Sequence, residues 1–314
     1  VELTPKHPFY SANDFFKHRL GGKIIKLALD GGFTCPNRDG SLSSEGCIFC
    51  SGSGSGDFAG SRGISIREQI ESMKEKMSAK WGYNNNYMAY FQAFTNTYAP
   101  IDVLRERFTS AMECEGINAL SVATRPDCID KSVCELLREL SEEMYVCVEL
   151  GLQTSNDNTA TLINRCYKTE VYANAIAMLK AYNIDVITHI ILGLPGENKA
   201  DMLASVNYAV DCGTDGLKLQ LLHILRGTGL AQLYRDKPFT VFAFEEYVDF
   251  IVDIIEQIPP NVSIHRITGD GSKELLIEPW WSLDKRRVLN SISRRFIERN
   301  TFQGKNIIAM PYCL

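Results

Sequence analysis

Cys35, Cys47 and Cys50 are the residues of this chain best suited to chemistry, spaced Cys-x11-Cys-x2-Cys directly after an apolar run at 24–29. Thiolate is a soft ligand that suits zinc and iron–sulfur centres. A Cys-x2-Cys pair can put two sulfurs on one centre, and the preceding loop brings in the third. Three ligands are one short of the four that close a structural site. On the cysteines alone two readings stand level. One is a zinc site completed by a distant ligand, Cys128 or a histidine; the other is an iron–sulfur cluster with one iron left open to a small molecule. The other seven of the ten cysteines are scattered singly among apolar neighbours. Cys147, within Tyr145-Val146-Cys147-Val148, reads as a small core hydrophobe.

The elements that must position such a site follow from the apolar pattern. Strands are expected at 24–29, 87–94, 118–123, 144–150, 186–192 and 216–222, with one more at 262–267. Helical patterns fall between and after them at 66–79, 101–113, 131–142, 171–181, 199–210 and 244–257, and 280–300 closes the chain as an amphipathic helical region. Strand–helix alternation implies parallel strands with crossover helices. At least six units favour a curved, barrel-like sheet over an open doubly wound one. In either case function belongs at the C-terminal ends of the strands. Unusual residues gather there: Thr95-Asn96-Thr97, Thr124-Arg125-Pro126-Asp127, Gly151-Leu152-Gln153 and Gly193-Leu194-Pro195-Gly196-Glu197. We expect a core over 1–236 with an N-terminal extension, and a C-terminal extension over 237–314 that closes the barrel.

Polar residues inside these strands need a reason. Glu149 in an apolar strand is costly unless paired. Lys26 and Lys218, also in strands, either pair with it or face a ligand. His189 and His223 lie on strands, where a lone histidine is more often a satisfied core group. The run Gly52–Gly56 reads as a loop around the three cysteines rather than as a linker, since six residues separate Cys50 from Asp57.

A net charge of −5 means that a nucleic-acid partner would have to be met by a local basic patch. Two are present. Lys285, Arg286, Arg287, Arg294, Arg295, Arg299 and Lys305 face only Asp284 and Glu298 in their segment, and Lys6, Lys17, Arg19, Lys23 and Lys26 face only Asp14. Trp280, Trp281 and Phe302 would be able to stack bases. The plainer reading is a solvated helix closing the barrel with its tryptophans in the core. No stretch of about 18 apolar residues is present, so no membrane span is expected. The start, Val1–Lys6, has no apolar signal region and no initiator Met. We therefore expect a cytoplasmic protein from which a few leading residues have been removed.

The motifs also carry a family resemblance. Ala123-Thr124-Arg125-Pro126-Asp127, Val148-Glu149-Leu150-Gly151-Leu152-Gln153-Thr154, His189 with Gly193-Leu194-Pro195-Gly196-Glu197, and Leu217-Lys218-Leu219 with Ile224-Leu225-Arg226-Gly227-Thr228 fall in one order over roughly 24–236. Together they resemble the radical S-adenosylmethionine (SAM) superfamily, in the subgroup that includes the catalytic subunit of Elongator. The wide first cysteine gap, where the superfamily more often has three residues, is similar to that subgroup. A compact bacterial radical SAM family is closer still: it shares Asp30–Gly40, Gly54-Ser55-Gly56-Asp57-Phe58 and Arg266-Ile267-Thr268-Gly269-Asp270. With the sequence ending at Leu314, no acetyltransferase domain is expected.

The resemblance implies a partial TIM-like (β/α)6 barrel, α/β in class, with a C-terminal helical extension. It implies a [4Fe–4S] cluster on Cys35, Cys47 and Cys50 whose open iron binds the amine and carboxylate of SAM. Phe49, Thr95, Asn96, Arg125, Glu149, Gln153 and Leu194 are the expected cofactor shell. Phe49 would lie beside the adenine, Leu194 along it, Thr95 and Asn96 at the ammonium, and Gln153 at the carboxylate or ribose. Thr95-Asn96 stands where many relatives carry Gly-Gly-Glu, so ammonium binding differs in detail. His189, Lys26 and Arg266 are the expected substrate-handling residues. The implied substrate is a tRNA wobble uridine, with a reductase, flavodoxin or ferredoxin as electron donor. The rivals are a radical SAM enzyme acting on a free small molecule and a non-catalytic zinc-stabilised RNA-binding module.

Overall fold

The computed structural model describes residues 2–54, 56–57, 59–81 and 86–308. Ser55 and Phe58, which figure in a motif above, and Cys313, one of the seven scattered cysteines, lie outside the described residues. Strands are β1 (Ile25–Leu29), β2 (Tyr87–Phe91), β3 (Ile117–Thr124), β4 (Tyr145–Gln153), β5 (Asp185–Leu192), β6 (Gly216–Leu221), β7 (Ile224–Leu225), β8 (Ser263–Arg266) and β9 (Leu276–Glu278). Helices are α1 (Ala12–Leu20), α2 (Ile66–Trp81), α3 (Ile101–Met112), α4 (Lys131–Leu140), α5 (Asp157–Leu162), α6 (Thr169–Ala181), α7 (Lys199–Asp211), α8 (Gly229–Asp236), α9 (Phe244–Ile255), α10 (Lys285–Glu298) and α11 (Lys305–Ile308). Seven strands form one sheet in the order β1-β2-β3-β4-β5-β6-β8, so the run at 262–267 does join it. Among the described residues no helix is long and apolar enough to cross a membrane.

The chain divides into two compact units. The first comprises Phe16–Gly151 and Asn164–Ile187. Its strands β1 to β4 pair in parallel, with Leu27 opposite Ala89, Ala89 opposite Leu120 and Leu120 opposite Val146. β2 is buried along its whole length, and β3 and β4 nearly so. Strands buried on both faces lose the polar alternation of a one-sided sheet, which explains their near-continuous apolar sequence. In α3, Leu104, Phe108, Ala111 and Met112 are buried and lie on one face at three- and four-residue steps. Asp130 accepts from Val133 N and so caps α4.

The second unit comprises Val1–Phe15, Leu152–Ile163 and Thr188–Leu314. β6 and β8 pair in parallel, and β7 with β9 forms a two-stranded antiparallel ribbon. A capping box of Asn198 and Asp201 starts α7.

The basic segment at 285–299 is largely spent inside this unit. Arg295 pairs with Glu245 at 2.8 Å, with Glu298 and with Asp249, and Arg299 pairs with Asp253 at 2.6 Å and with Asp249. Arg294 pairs with Glu298 and Lys285 with Asp270. Arg287 covers the ring of Phe244 at 4.1 Å. The sequence set these cations against only two carboxylates of their own segment; α9 supplies three more across the helix pair. Trp281 is likewise committed, donating from Nε1 to Phe242 O and packing edge-on against Phe244. Trp280 remains 53% exposed and Arg286 is exposed. A smaller set of exposed basic and aromatic side chains therefore remains at this end than the sequence suggests.

Candidate functional site

In the first unit, the segment from Thr34 to Asp57 leaves β1 and folds back on itself. Cys35 O accepts from Arg38 N at 2.8 Å and Asp39 N at 3.1 Å, and Cys47 O accepts from Cys50 N at 3.0 Å. The Arg38 guanidinium ties both arms of the loop together, donating to Cys50 O, Ser51 O and Gly52 O. Asp57 accepts from Ser51 and Ser53. Gly54 sits at φ 60° against Phe94, where an added Cβ would lie 2.5 Å from the ring. Only glycine meets both demands there. Gly52–Gly54 is thus a hydrogen-bonded turn against Phe94, just after β2, and the linker reading falls there.

The three cysteines are each partly exposed, with Phe49, also partly exposed, beside Cys50. Surrounding protein still desolvates the Cys47 thiol and pushes its pKa up to about 12. The charges of Cys50 and Cys35 add to that rise, whereas Arg125 and an amide hydrogen bond from Asn37 oppose it. Three thiols that feel one another's charge, beside a cation and an N–H donor, fit an anionic iron–sulfur group. A bound metal deprotonates its thiols and reverses the desolvation cost. Among the described residues no three His, Cys, Asp or Glu side chains close round a single ion. In a cubane each thiolate takes its own iron, so its cysteines stand apart.

Arg125, at the end of β3, is buried. It donates to both carboxylate oxygens of Asp127, at 2.9 and 2.6 Å, and to Arg165 O at 3.0 Å. Burial disfavours its charge, and the Asp127 hydrogen bonds and charge outweigh that and keep it protonated. Its guanidinium lies 5.0 Å from the centre of the Tyr167 ring, and that of the wholly buried Arg165 lies 4.3 Å from it. Tyr167 and Arg165 were missed from sequence. Both lie in an irregular stretch where no period marks burial.

Thr95 and Asn96 are buried after β2. Asn96 Nδ2 donates to Phe91 O at 3.1 Å and Ala123 O at 2.8 Å, which leaves Oδ1 buried without a hydrogen-bond partner. A buried lone acceptor is the feature an ammonium group would satisfy. Lys26 Nζ donates to Glu149 Oε1 at 2.6 Å, and Ser121 Oγ donates to the same oxygen at 3.3 Å. Lys26 thus has an anionic partner inside its own unit.

In the second unit, Gln153 ends β4 at φ 62°, a left-handed conformation that is uncommon outside glycine. Next to it Thr154 donates to Glu197 of the Gly193–Glu197 turn, and Ser205 Oγ accepts from Ser155 N. Burial raises the Glu197 pKa, and its Oε2 has no hydrogen-bond partner. Leu194 is buried in that turn. His189 Nδ1 lies 3.3 Å from Gln220 Nε2. Arg266 ends β8 and pairs with Asp270 at 3.4 Å, on a carboxylate that also takes Lys285. Burial raises the Asp270 pKa, and Lys285 and Arg266 outweigh it, giving a net lowering.

His223 follows β6, its ring boxed by two glycines. An added Cβ on Gly269 would lie 2.6 Å from Cε1, and one on Gly271 3.0 Å from Nδ1. Its Nε2 is buried with no hydrogen-bond partner. Burial lowers its pKa to about 4, with Asp270 opposing and Arg266 assisting. An unfolded histidine takes up its proton near pH 6.5. The stability held by neutral His223 is therefore complete above pH 6.5 and is lost as pH falls toward 4, by about 3 kcal/mol at most. Urea unfolding at pH 7 and 4.5 is expected to show a smaller acid loss in His223→Phe than in the wild type. Equal losses would mean that other groups carry the acid limb.

A family model described as the radical SAM superfamily matches residues 35–209, and one described as the radical SAM C-terminal domain matches 214–298. The chain is 43% identical to uncharacterized protein YtqA of Bacillus subtilis, over 95% of this chain and 92% of that one. It is 30% identical to the tRNA uridine(34) acetyltransferase of Dehalococcoides mccartyi, over 52% of this chain and 35% of that protein. Among solved structures, the archaeal Methanocaldococcus infernus Elp3 lacking its N-terminus superposes with a TM-score of 0.66 at 17% identity, over 87% of this chain and 63% of that one. The shared fold is the α/β partial TIM-type barrel that the resemblance implied, and the curved rather than open sheet that the strand–helix alternation favoured.

Proposed function

The chain belongs to the radical SAM superfamily, and on that premise we propose that it remodels the side chain of a tRNA wobble uridine, for example by trimming carboxymethylaminomethyl to aminomethyl. It is an enzyme that works with a [4Fe–4S] cluster and SAM, so the non-catalytic zinc-module reading falls away. When bound, these two groups supply one low-potential electron and the 5′-deoxyadenosyl radical that takes a hydrogen atom from substrate.

In this reading Cys35, Cys47 and Cys50 hold the cluster, and Phe49 flanks them on the adenine side. Thr95 and the lone Oδ1 of Asn96 receive the SAM ammonium. Arg125, oriented by Asp127, places a fixed positive charge near the Cys47 thiolate. Glu149 neutralises Lys26 and keeps two opposite charges on one face of the sheet. The roles expected for Gln153, Leu194, His189 and Arg266 rest on the resemblance. An external one-electron donor, a reductase, flavodoxin or ferredoxin, completes the reaction.

The observation that carries the substrate class is the alignment over half the chain with the tRNA uridine(34) acetyltransferase. A free small molecule is the second reading, favoured by the neutralisation of α10 by carboxylates of α9. To decide, the anaerobically reconstituted enzyme is given dithionite, SAM and bulk tRNA, and 5′-deoxyadenosine and tRNA nucleosides are scored by mass spectrometry. The wobble reading expects tRNA to stimulate deoxyadenosine formation and one uridine derivative to change mass. Deoxyadenosine formed at the same rate without tRNA, with every nucleoside unchanged, would overturn it in favour of a small substrate.

A further inference from the structure

Asn37, two residues after Cys35, is wholly buried. Its Nδ2 donates to Cys47 Sγ at 3.4 Å and to Asn164 O at 2.6 Å. Asn164 is itself anchored: its Nδ2 donates to Gly46 O at 2.7 Å and to Ser43 Oγ at 3.4 Å, and its backbone sits at φ 53°. The orientation of the Asn37 amide is set by its neighbours, because the sulfur and the carbonyl are both acceptors and would repel the oxygen. The cost is that Oδ1 is left buried without a hydrogen-bond partner. A buried orphan acceptor forfeits the hydrogen bonds it would make to water, a cost that a leucine of similar size would avoid. The amide is therefore poorly explained by packing and well explained by what its N–H does to the sulfur.

We propose that Asn37 is a positioning residue that acts through Cys47, its N–H···S bond raising the reduction potential of the cluster. This rests on the reading of Cys47 as a cluster ligand. Reduction adds an electron to an anionic assembly and spreads negative charge onto its sulfurs. A donor to a ligand sulfur stabilises the electron-rich state more than the oxidised one, and more strongly in low-dielectric surroundings. Arg125 acts in the same sense, but its charge is shared with Asp127. The Asn37 donor is spent on no carboxylate, and its second proton goes to a carbonyl that locks it in place.

The test is a potentiometric titration, followed by electron paramagnetic resonance of the reduced cluster, on wild-type, Asn37→Leu, Asn37→Asp and Asn164→Gly holoenzymes. Iron and sulfide per chain are expected to be equal in all four. At a fixed applied potential, Asn37→Leu is expected to have a roughly tenfold lower ratio of reduced to oxidised cluster, which is about 59 mV for one electron. Asn37→Asp, which replaces the donor by a carboxylate, is expected to shift further in the same direction. Asn164→Gly tolerates the left-handed φ and keeps the carbonyl that receives Asn37, so its potential is expected to match the wild type. An unchanged potential in loaded Asn37→Leu overturns the proposal. So does an equal shift in Asn164→Gly, which would make loop packing the cause. If the Asn37 variants hold no iron, the wild type decides, labelled with side-chain amide 15N asparagine: 15N coupling to the reduced cluster supports the bond, and its absence overturns it. A wild-type chain that takes up no cluster removes the ligand reading and this inference together, whereas a loaded chain with unmoved potentials removes the inference alone.

Discussion

Cys47→Ala is expected to take the reconstituted protein from about four iron and four sulfide per chain to almost none, and to abolish 5′-deoxyadenosine formation from SAM. Cys47 is the thiol on which the surroundings converge: Cys50, Arg125, Asn37 and Cys35 all act on it. Without it one more iron of the cubane loses its protein ligand, beside the iron already open to SAM, and Arg125 and Asn37 face no thiolate. The comparison that gives the result meaning is Cys128→Ala. Cys128 lies near enough to Cys35 for their charges to interact, and burial, with Asp127, pushes its pKa up to about 12. It is thus a candidate for a fourth ligand that would close the site, as is Cys166, whose charge also interacts with that of Cys35. The three-cysteine reading expects Cys128→Ala to keep its iron and its SAM cleavage. Equal loss in both variants would mean a closed four-thiol centre with no iron free for SAM. Cys212→Ala, on the partly exposed cysteine after α7 in the other unit, should be silent in both assays.

Lys26→Met is expected to destabilise the protein by about 3–5 kcal/mol, read as a lowered urea midpoint. The Glu149 side chain is fully enclosed, while Lys26 keeps a quarter of its side chain exposed. Removing the lysine takes a cation 2.6 Å away from a buried carboxylate, and with it part of what offsets that ion's desolvation penalty. The lysine also spans Phe16 and Tyr90, 5.2 and 5.1 Å from their ring centres, so methionine, of similar length, keeps much of the packing while losing the charge. Adding Glu149→Gln to Lys26→Met should return most of the lost stability, since the double variant no longer buries the carboxylate that Lys26 offset. A loss below about 1 kcal/mol in the single variant would show that the pair contributes little to the fold. It would return Lys26 to the substrate side, where loss of turnover with intact SAM cleavage is the signature to seek.

The sequence was legible where its signals are local. The cysteine spacing and the motifs at 123–127, 148–154 and 193–197 each lie in one short stretch, and the strand–helix alternation is read from one short run after another. Central parallel strands declare themselves because burial on both faces makes them apolar throughout. Short elements did not: α1, α5, α8 and the β7–β9 ribbon were missed, being too brief for a period to emerge or, like β7, two residues long. For α1 a local signal existed, since Ser11 and Asp14 bond each other's backbone N–H as a capping pair.

What the sequence by itself determined is the chemistry of the donors: three thiols in one loop, and the α/β alternation that presents them after the first strand. What only the tertiary structure decided is which partner each polar group has. Nothing in the local pattern says that the arginines at 295 and 299 spend their charge on α9, that Lys26 meets Glu149, or that Asn37 donates to Cys47 while Asn164 holds it. Such pairings join residues 10 to 127 positions apart. Hydrogen bonds and ion pairs act over a few ångströms, so their partners are chosen by packing and not by spacing along the chain.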